Sequence, residues 1–333
     1  MAQVVLGIGA SHTPLLTLTV EQWQHRAAAD YDNPELNLSD GRLLTYQQVL
    51  AELGPRCTTV ITPEVLAAKE RACAAALERL ADELEQADPD VVVIVGDDHH
   101  ELFTSANQPA ISIYHGVEIL TSDSFGHEDA APWVQDMGRG YLMDAQHRLA
   151  GAPAFALDLI RGLVDEHFDV GACSHIEAHG HVGLGHAYGF IVQRLLRGRR
   201  VPIVPILLNT YFGPNVPTAA RCHDLGLAIH RVIEAMPGDQ RVVVVGSGGL
   251  SHFVVDEALD QRVLGAISSG DHSALRSIPR GALNSGSSEI LNWIVAAGAV
   301  GSLPLAWSEY QPLFRTPAGT GVGAGFAAWK AAG

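Results

Sequence analysis

Four short runs of β-branched residues stand out along the chain: Val4 to Ile8, Val91 to Val95, Ile203 to Leu208 and Val242 to Val245. Each is apolar at successive positions, the pattern of a strand buried on both faces rather than one with a wet side. Each also runs into a loop rich in Gly, His, Ser or Asp. Between the first two, Leu66, Cys73, Leu77, Leu80 and Leu84 follow Thr62-Pro63 at helical spacing until Asp88-Pro89 interrupts them. A Thr-Pro start and an Asp-Pro stop predict one long helix, with a strand directly after it, as a βαβ unit requires. The pattern predicts an α/β fold, a single domain over 1–333 with a central, mostly parallel or mixed β-sheet flanked by helices on both faces.

Two segments depart from this rhythm. From Trp23 to Pro55 the chain is polar and turn-rich, with Asp32-Asn33-Pro34 and Ser39-Asp40-Gly41, and reads as a lid-like insertion over the sheet edge (about 23–55) rather than a linker. The stretch Gly319-Thr320-Gly321-Val322-Gly323-Ala324-Gly325, ahead of Phe326 and Trp329, fits a docked terminal segment and a loose tail equally well.

Composition narrows the classes. With 47% hydrophobic and only 17% charged residues, the chain has the material for a large core and lacks the signature of disorder. A net charge of −16 with no dense Lys/Arg cluster argues against a nucleic-acid partner. It also means that an anionic substrate needs local basic groups or a metal to hold it. No run approaches membrane-spanning length and no basic leader opens the chain, so a soluble, cytoplasmic protein without a membrane partner is expected. Cys57, Cys73, Cys173 and Cys222 are scattered, as suits reduced thiols rather than disulfides or a zinc knuckle.

Open α/β sheets hold ligands beyond the carboxyl ends of their strands. Three of the four predicted strand ends carry a histidine there: His12 in Ser11-His12-Thr13-Pro14, His99 in Gly96-Asp97-Asp98-His99-His100-Glu101, and His252 in Gly246-Ser247-Gly248-Gly249-Leu250-Ser251-His252. Any one of 16 histidines, taken alone, is more readily a surface or core residue. Their recurrence at strand ends alters that balance, because neutral imidazoles gathered with a carboxylate make a divalent-metal site. Two histidines and one carboxylate leave coordination positions open, as an O2-activating ferrous centre needs. Asp97, Asp98, Glu101, Glu177, Glu257 and Glu289 are all eligible as the carboxylate. If the chain stays extended after Asp98, Glu101 points with His99 and is the reserve ligand, while His100 points away. The Gly246 to Gly249 run lacks both the Gly-Lys-Ser/Thr ending and the dinucleotide spacing, so nucleotide binding is not indicated.

The opening Leu6-Gly7-Ile8-Gly9-Ala10-Ser11-His12-Thr13-Pro14, the strand with Asp98-His99 and Phe103, Leu208-Asn209-Thr210, Gly246 to His252, and Gly286-Ser287-Ser288-Glu289-Ile290-Leu291-Asn292-Trp293 together resemble the class III extradiol ring-cleavage dioxygenases. That superfamily includes the catalytic subunit of protocatechuate 4,5-dioxygenase, and the likeness is to its gallate and 3-O-methylgallate dioxygenase branch. The resemblance implies Fe(II) held by His12, His99 and Glu289, with His252 as the acid–base residue. It also implies a substrate-pocket histidine from the His-rich stretch 174–186, where His179 and His186 are the two candidates, with Tyr211 and Phe212 lining the pocket. The implied substrates are O2 and a vicinal-diol aromatic, an acid such as protocatechuate, gallate or 3-O-methylgallate. A homodimer is expected, with a separately encoded small partner subunit as the alternative. Two rival functions remain: a zinc-dependent hydrolase built on the same two-His, one-carboxylate set, and a non-catalytic binding protein of the same fold.

Overall fold

The computed structural model of the protein describes residues 1–177 and 180–331. Nine strands share one sheet: β1 Gln3–Ala10, β2 Val91–Asp97, β3 Ile111–Tyr114, β4 Gly171–Cys173, β5 Ile203–Leu208, β6 Arg241–Ser247, β7 His252–Val254, β8 Leu305–Phe314 and β9 Thr320–Trp329. The four runs recognised in the sequence are neighbours in the order β1, β6, β2, β5, all parallel. Their carboxyl ends therefore open on one edge. Antiparallel strands extend both sides, β9 against β1 and β3 against β5, so the sheet is mixed.

Alternation along the inner strands assigns each side chain to one of two cores. Val93, Val95, Val242 and Val244 face a layer that holds Leu159, Leu225, Ile229 and Ile294, from the helices Pro153–Asp165, Ala219–Ala235 and Ile290–Ala299. Val92, Ile94, Val243 and Val245 face the opposite layer, with Leu77, Leu80 and Leu84 of the long helix Pro63–Ala87. Thr62 caps that helix by accepting the Val65 N–H, as its Thr-Pro start predicts. Burying a Val, Leu or Ile side chain contributes about 1.5–3 kcal/mol each, so this double core fixes the register that places the strand ends.

Two segments differ from a plain reading of their composition. The glycine-rich stretch is no tail: β9 is buried throughout, paired with β8 along one side and with β1 and β7 on the other. Its glycines make room for large neighbours, since a Cβ on Gly325 would lie 3.1 Å from the Trp293 ring. Between Trp23 and Pro55 the chain forms two helices, Trp23–Asp32 and Tyr46–Leu53, around the hairpin Leu36–Asn37/Leu43–Leu44. It is fastened by a buried ion pair between Asp30 and Arg315, and by the Asn37 amide donating to Asn284 O and Ser287 Oγ. Among the described residues no helix is long and apolar enough to cross a membrane. All four cysteines are free thiols, Cys173 half-buried and the other three buried.

Candidate metal centre

His12 lies two residues past β1, buried, with its carbonyl held by the Tyr141 hydroxyl (2.7 Å). Its ring orientation is set from β6. The Ser247 hydroxyl donates to Ala187 O at 2.6 Å, and a carbonyl can only accept, so Ser247 Oγ must accept from His12 Nδ1–H at 2.9 Å. The neutral ring then carries its lone pair on Nε2. That atom is buried without a partner, 3.2 Å from Glu289 Oε2 and not aligned for a hydrogen bond.

Glu289 ends the 3₁₀ turn Ser285–Glu289 and leads into the helix Ile290–Ala299. One carboxylate oxygen accepts the Gly249 N–H (2.6 Å). His252 stands on its other side, with Nε2 3.5 Å from Glu289 Oε1 and Nδ1–H donating to Leu250 O (2.9 Å). Glycine is required at two points here, because a Cβ on Gly249 or Gly286 would come within 2.2 or 2.6 Å of His252.

Asp97, the last residue of β2, is fully buried; Asn292 Nδ2 donates to its Oδ1 (3.0 Å) while Oδ2 lacks a partner. His99 Nε2 approaches that oxygen to 2.9 Å, again without hydrogen-bond alignment. The extended geometry expected after Asp98 is not adopted. Asp98 accepts the N–H groups of Leu102 and Phe103, His100 takes φ +68°, and the chain turns back. Both oxygens of Glu101 are consequently engaged, one by His99 N–H and one by His186 Nδ1 (2.6 Å). His100 stacks on Phe212 instead of pointing away.

His186 joins the cluster directly. With Nδ1 tied to Glu101, its Nε2 faces Asp97 Oδ2 at 3.8 Å, and its ring centre is 4.7 Å from that of His12. Two overlapping groups thus place donor atoms within 4.8 Å of one another: His12, Asp97 and His186, and Asp97, His99 and Glu289. His179, the other pocket candidate, lies outside the described residues. Of the remaining eligible carboxylates, Asp98 is used within its turn and Glu257 is the exposed first residue of the helix Glu257–Ser269, which Asp256 caps.

Taking two carboxylates out of water costs several kcal/mol each unless positive charge compensates. Burial opposes ionisation of Glu289, but His252, His12 and His99 together hold it well below the usual carboxylate range. Burial and the Glu289 charge oppose ionisation of Asp97, yet His99 and His12 keep it ionised. Burial likewise opposes a charged His99, and Asp97, Glu101 and Glu289 outweigh it, raising His99 to about 10. The field therefore demands cations, and a divalent ion would supply them while displacing protons from the imidazoles. The donor spacing fits as well. Two ligands about 2.1 Å from one ion at right angles lie about 3 Å apart, close to the observed 2.9 and 3.2 Å.

The cluster forms the inner end of a cavity of about 680 Å³, a size suited to a small aromatic molecule. Tyr211, Phe212, Phe125, Met137 and Met143 supply apolar wall, so Tyr211 and Phe212 line it as expected. Sequence reading did not single out Tyr141, Arg26 or Arg315, which also border the cavity, and it left Asp97 as one of six carboxylates. The available signal for Asp97 was an acid closing an otherwise apolar strand. Arg26 and Arg315 carried none.

The fold and site define an α/β protein with a histidine–carboxylate cluster that could hold a metal ion at the carboxyl edge of its sheet. The chain belongs to the family of the catalytic LigB subunit of aromatic ring-opening dioxygenase, whose model matches residues 58–326. That span contains His99, His252 and Glu289 and begins after His12 and the whole of the 23–55 segment. Over 175 residues the chain is 30% identical to the 2,3-dihydroxyphenylpropionate/2,3-dihydroxicinnamic acid 1,2-dioxygenase of Photorhabdus laumondii, covering 53% of this chain and 47% of that one. Over 190 residues it is 32% identical to the protein of the same name from Paraburkholderia xenovorans, covering 57% and 50%. A shorter match, 46% over 57 residues, is to the gallate dioxygenase of Pseudomonas putida, covering 17% and 16%. The chain thus spans about half the length of the two longer matches.

Proposed function

We propose that this chain is an extradiol dioxygenase that opens the ring of a vicinal-diol aromatic, an aromatic acid such as protocatechuate, gallate or 3-O-methylgallate, and places both atoms of O2 in the product. The observation that carries this reading is the meeting of buried ligand atoms: His12 Nε2 lies 3.2 Å from Glu289 Oε2 and His99 Nε2 lies 2.9 Å from Asp97 Oδ2, neither aligned as a hydrogen bond, at a cavity large enough for a small aromatic molecule. Family membership supports the same chemistry. His12, His99 and Glu289 would hold one Fe(II), with Asp97 beside His99 as a further donor. Bound Fe(II) would supply the O2 redox chemistry that no side chain here can provide.

The remaining steps fall to the protein. His252 has its Nδ1–H fixed on Leu250 O, so its Nε2 lone pair is presented at the cluster. Burial, only partly opposed by Glu289 and the Leu250 carbonyl, lowers its pKa and keeps the ring neutral. It is thereby equipped to take the proton of a substrate hydroxyl and return it to a product oxygen. His99, Tyr211 and Phe212 stand edge-on or tilted to one another, 4.9–6.5 Å between ring centres, and form an aromatic side against which a substrate ring can pack.

The test is purification without air, Fe(II) reconstitution, and addition of 3,4-dihydroxybenzoate or gallate under O2. One O2 consumed per diol with a yellow ring-opened product is expected. Zinc retained in place of iron, with ester or amide hydrolysis and no O2 uptake, would replace this reading with the hydrolase that the same donors permit.

A further inference from the structure

With a net charge of −16, and with Asp97, Glu101 and Glu289 at its inner end, the cavity repels an anionic substrate unless a cation answers it. Two guanidinium groups border it, Arg26 and Arg315. They are not equivalent. Arg315 is spent on Asp30, with Nε to Oδ2 at 2.8 Å and Nη2 to Oδ1 at 2.9 Å. Asp30 Oδ2 also accepts the Thr320 hydroxyl (2.7 Å), so this carboxylate is fully engaged.

Arg26 lies one turn before Asp30 on the helix Trp23–Asp32, at the i, i+4 spacing where an ion pair would ordinarily form. Because Arg315 takes Asp30, Arg26 has no hydrogen bond or ion pair among the described residues, and its Nε is buried without a partner. A half-buried guanidinium left uncompensated costs stability, and it stays charged because its ordinary pKa lies so far above neutrality. It lines the same cavity as Tyr141, the residue that holds the His12 carbonyl.

We infer that Arg26 binds the carboxylate of the aromatic diol and makes the enzyme selective for acids over neutral catechols. The inference rests on the ring-cleavage reading of the site. A guanidinium fork matches a carboxylate in a bidentate pair, whereas a neutral catechol leaves Arg26 as unpaired as it is in the free protein. Arg26 lies outside the span matched by the family model, in the 23–55 segment.

The full chain loaded with Fe(II) is assayed with 3,4-dihydroxybenzoate and with catechol as wild type, Arg26→Gln and Arg26→Lys. Arg26→Gln is expected to raise KM for the acid about 10- to 100-fold, as loss of a charge-assisted pair implies. Its kcat, and its KM for catechol, should stay within about two-fold, because the lost interaction is one of binding. Arg26→Lys should recover part of the acid affinity. In parallel, benzoate should raise the melting temperature of metal-free wild type and not that of Arg26→Gln, while benzyl alcohol treats both alike. Arg26→Gln itself should be at least as stable as wild type.

An equal rise in KM for acid and catechol, a wild type with no preference for the acid, or an Arg26→Gln protein that fails to fold would each overturn the assignment while leaving ring cleavage intact. Failure of wild type to turn over any diol would instead sink the proposed function, and the benzoate shift would then decide Arg26 alone.

Discussion

His12, His186 and His252, at the inner end of the cavity, each commit one ring nitrogen to a fixed acceptor, Ser247 Oγ, Glu101 Oε1 or Leu250 O, and leave the other facing inward. Elsewhere the cavity wall is built by the opposite means: Arg315 pairs with Asp30, and Arg26 has no hydrogen bond or ion pair among the described residues. Inner groups rest on strand ends and on a buried helix start, where core packing fixes position to within a rotamer. Arg26 rests on a helix held by polar contacts at its two ends, the Trp23 indole N–H donating to Leu15 O and Asp30 pairing with Arg315 and accepting from Thr320. If the proposed function and the role inferred for Arg26 both hold, the contrast is a division of labour: the histidine–carboxylate cluster would decide what happens to a substrate, and the guanidinium left over would decide which substrate binds.

Substitutions on the inner side should therefore abolish chemistry for all diols alike, in contrast to the selective effect at Arg26. The largest loss is expected from Glu289→Ala, which removes the carboxylate balancing three imidazoles. Iron measured after anaerobic reconstitution should fall to roughly a tenth or less of one equivalent, with turnover lost in proportion. Retention of a full equivalent would hand the carboxylate role to Asp97 and break the comparison at its centre. His252→Phe comes next. Iron should bind at near wild-type stoichiometry while kcat drops about 10²- to 10⁴-fold, the usual worth of a positioned acid–base group. Equal loss of iron and turnover would move His252 from proton transfer to metal holding.

The inner side was also the more legible from sequence. His12, His99 and His252 follow strands whose apolar runs are unmistakable, and Glu289 follows two serines at a helix start, so topology alone brings them to one edge. Asp97 was harder to single out because nothing local separates the strand-end acid that faces the site from the equally buried turn acid Asp98 beside it. The turn after it was hidden because it hinges on His100 in the left-handed region, a conformation that only a few per cent of non-glycine residues adopt. On the outer side the helix Trp23–Asp32 shows only Trp23, Ala27 and Asp30 to the core, and the last of these is held by charge. A helix docked by an ion pair displays no apolar stripe to read. β9 escaped for a related reason, since glycines that admit Trp293 remove the alternation that would announce a strand.

The smallest inner effect is the one that isolates how an anchor works without touching a donor. Ser247 contributes no atom to the cluster; it accepts His12 Nδ1–H and passes its own proton to Ala187 O. In Ser247→Ala the ring loses the acceptor that fixes its tautomer, and two buried polar groups lose their partner together. Metal affinity should weaken about 10- to 100-fold, the range typical of groups that orient a metal-binding histidine. Turnover at saturating Fe(II) should stay close to wild type, because His252 and the cavity wall are unaltered. Ser247→Thr, which keeps the hydroxyl, should restore most of the affinity. Competition with a chelator reads all three proteins directly, and an unchanged affinity in Ser247→Ala would mean that the lone pair on His12 Nε2 is positioned by packing alone.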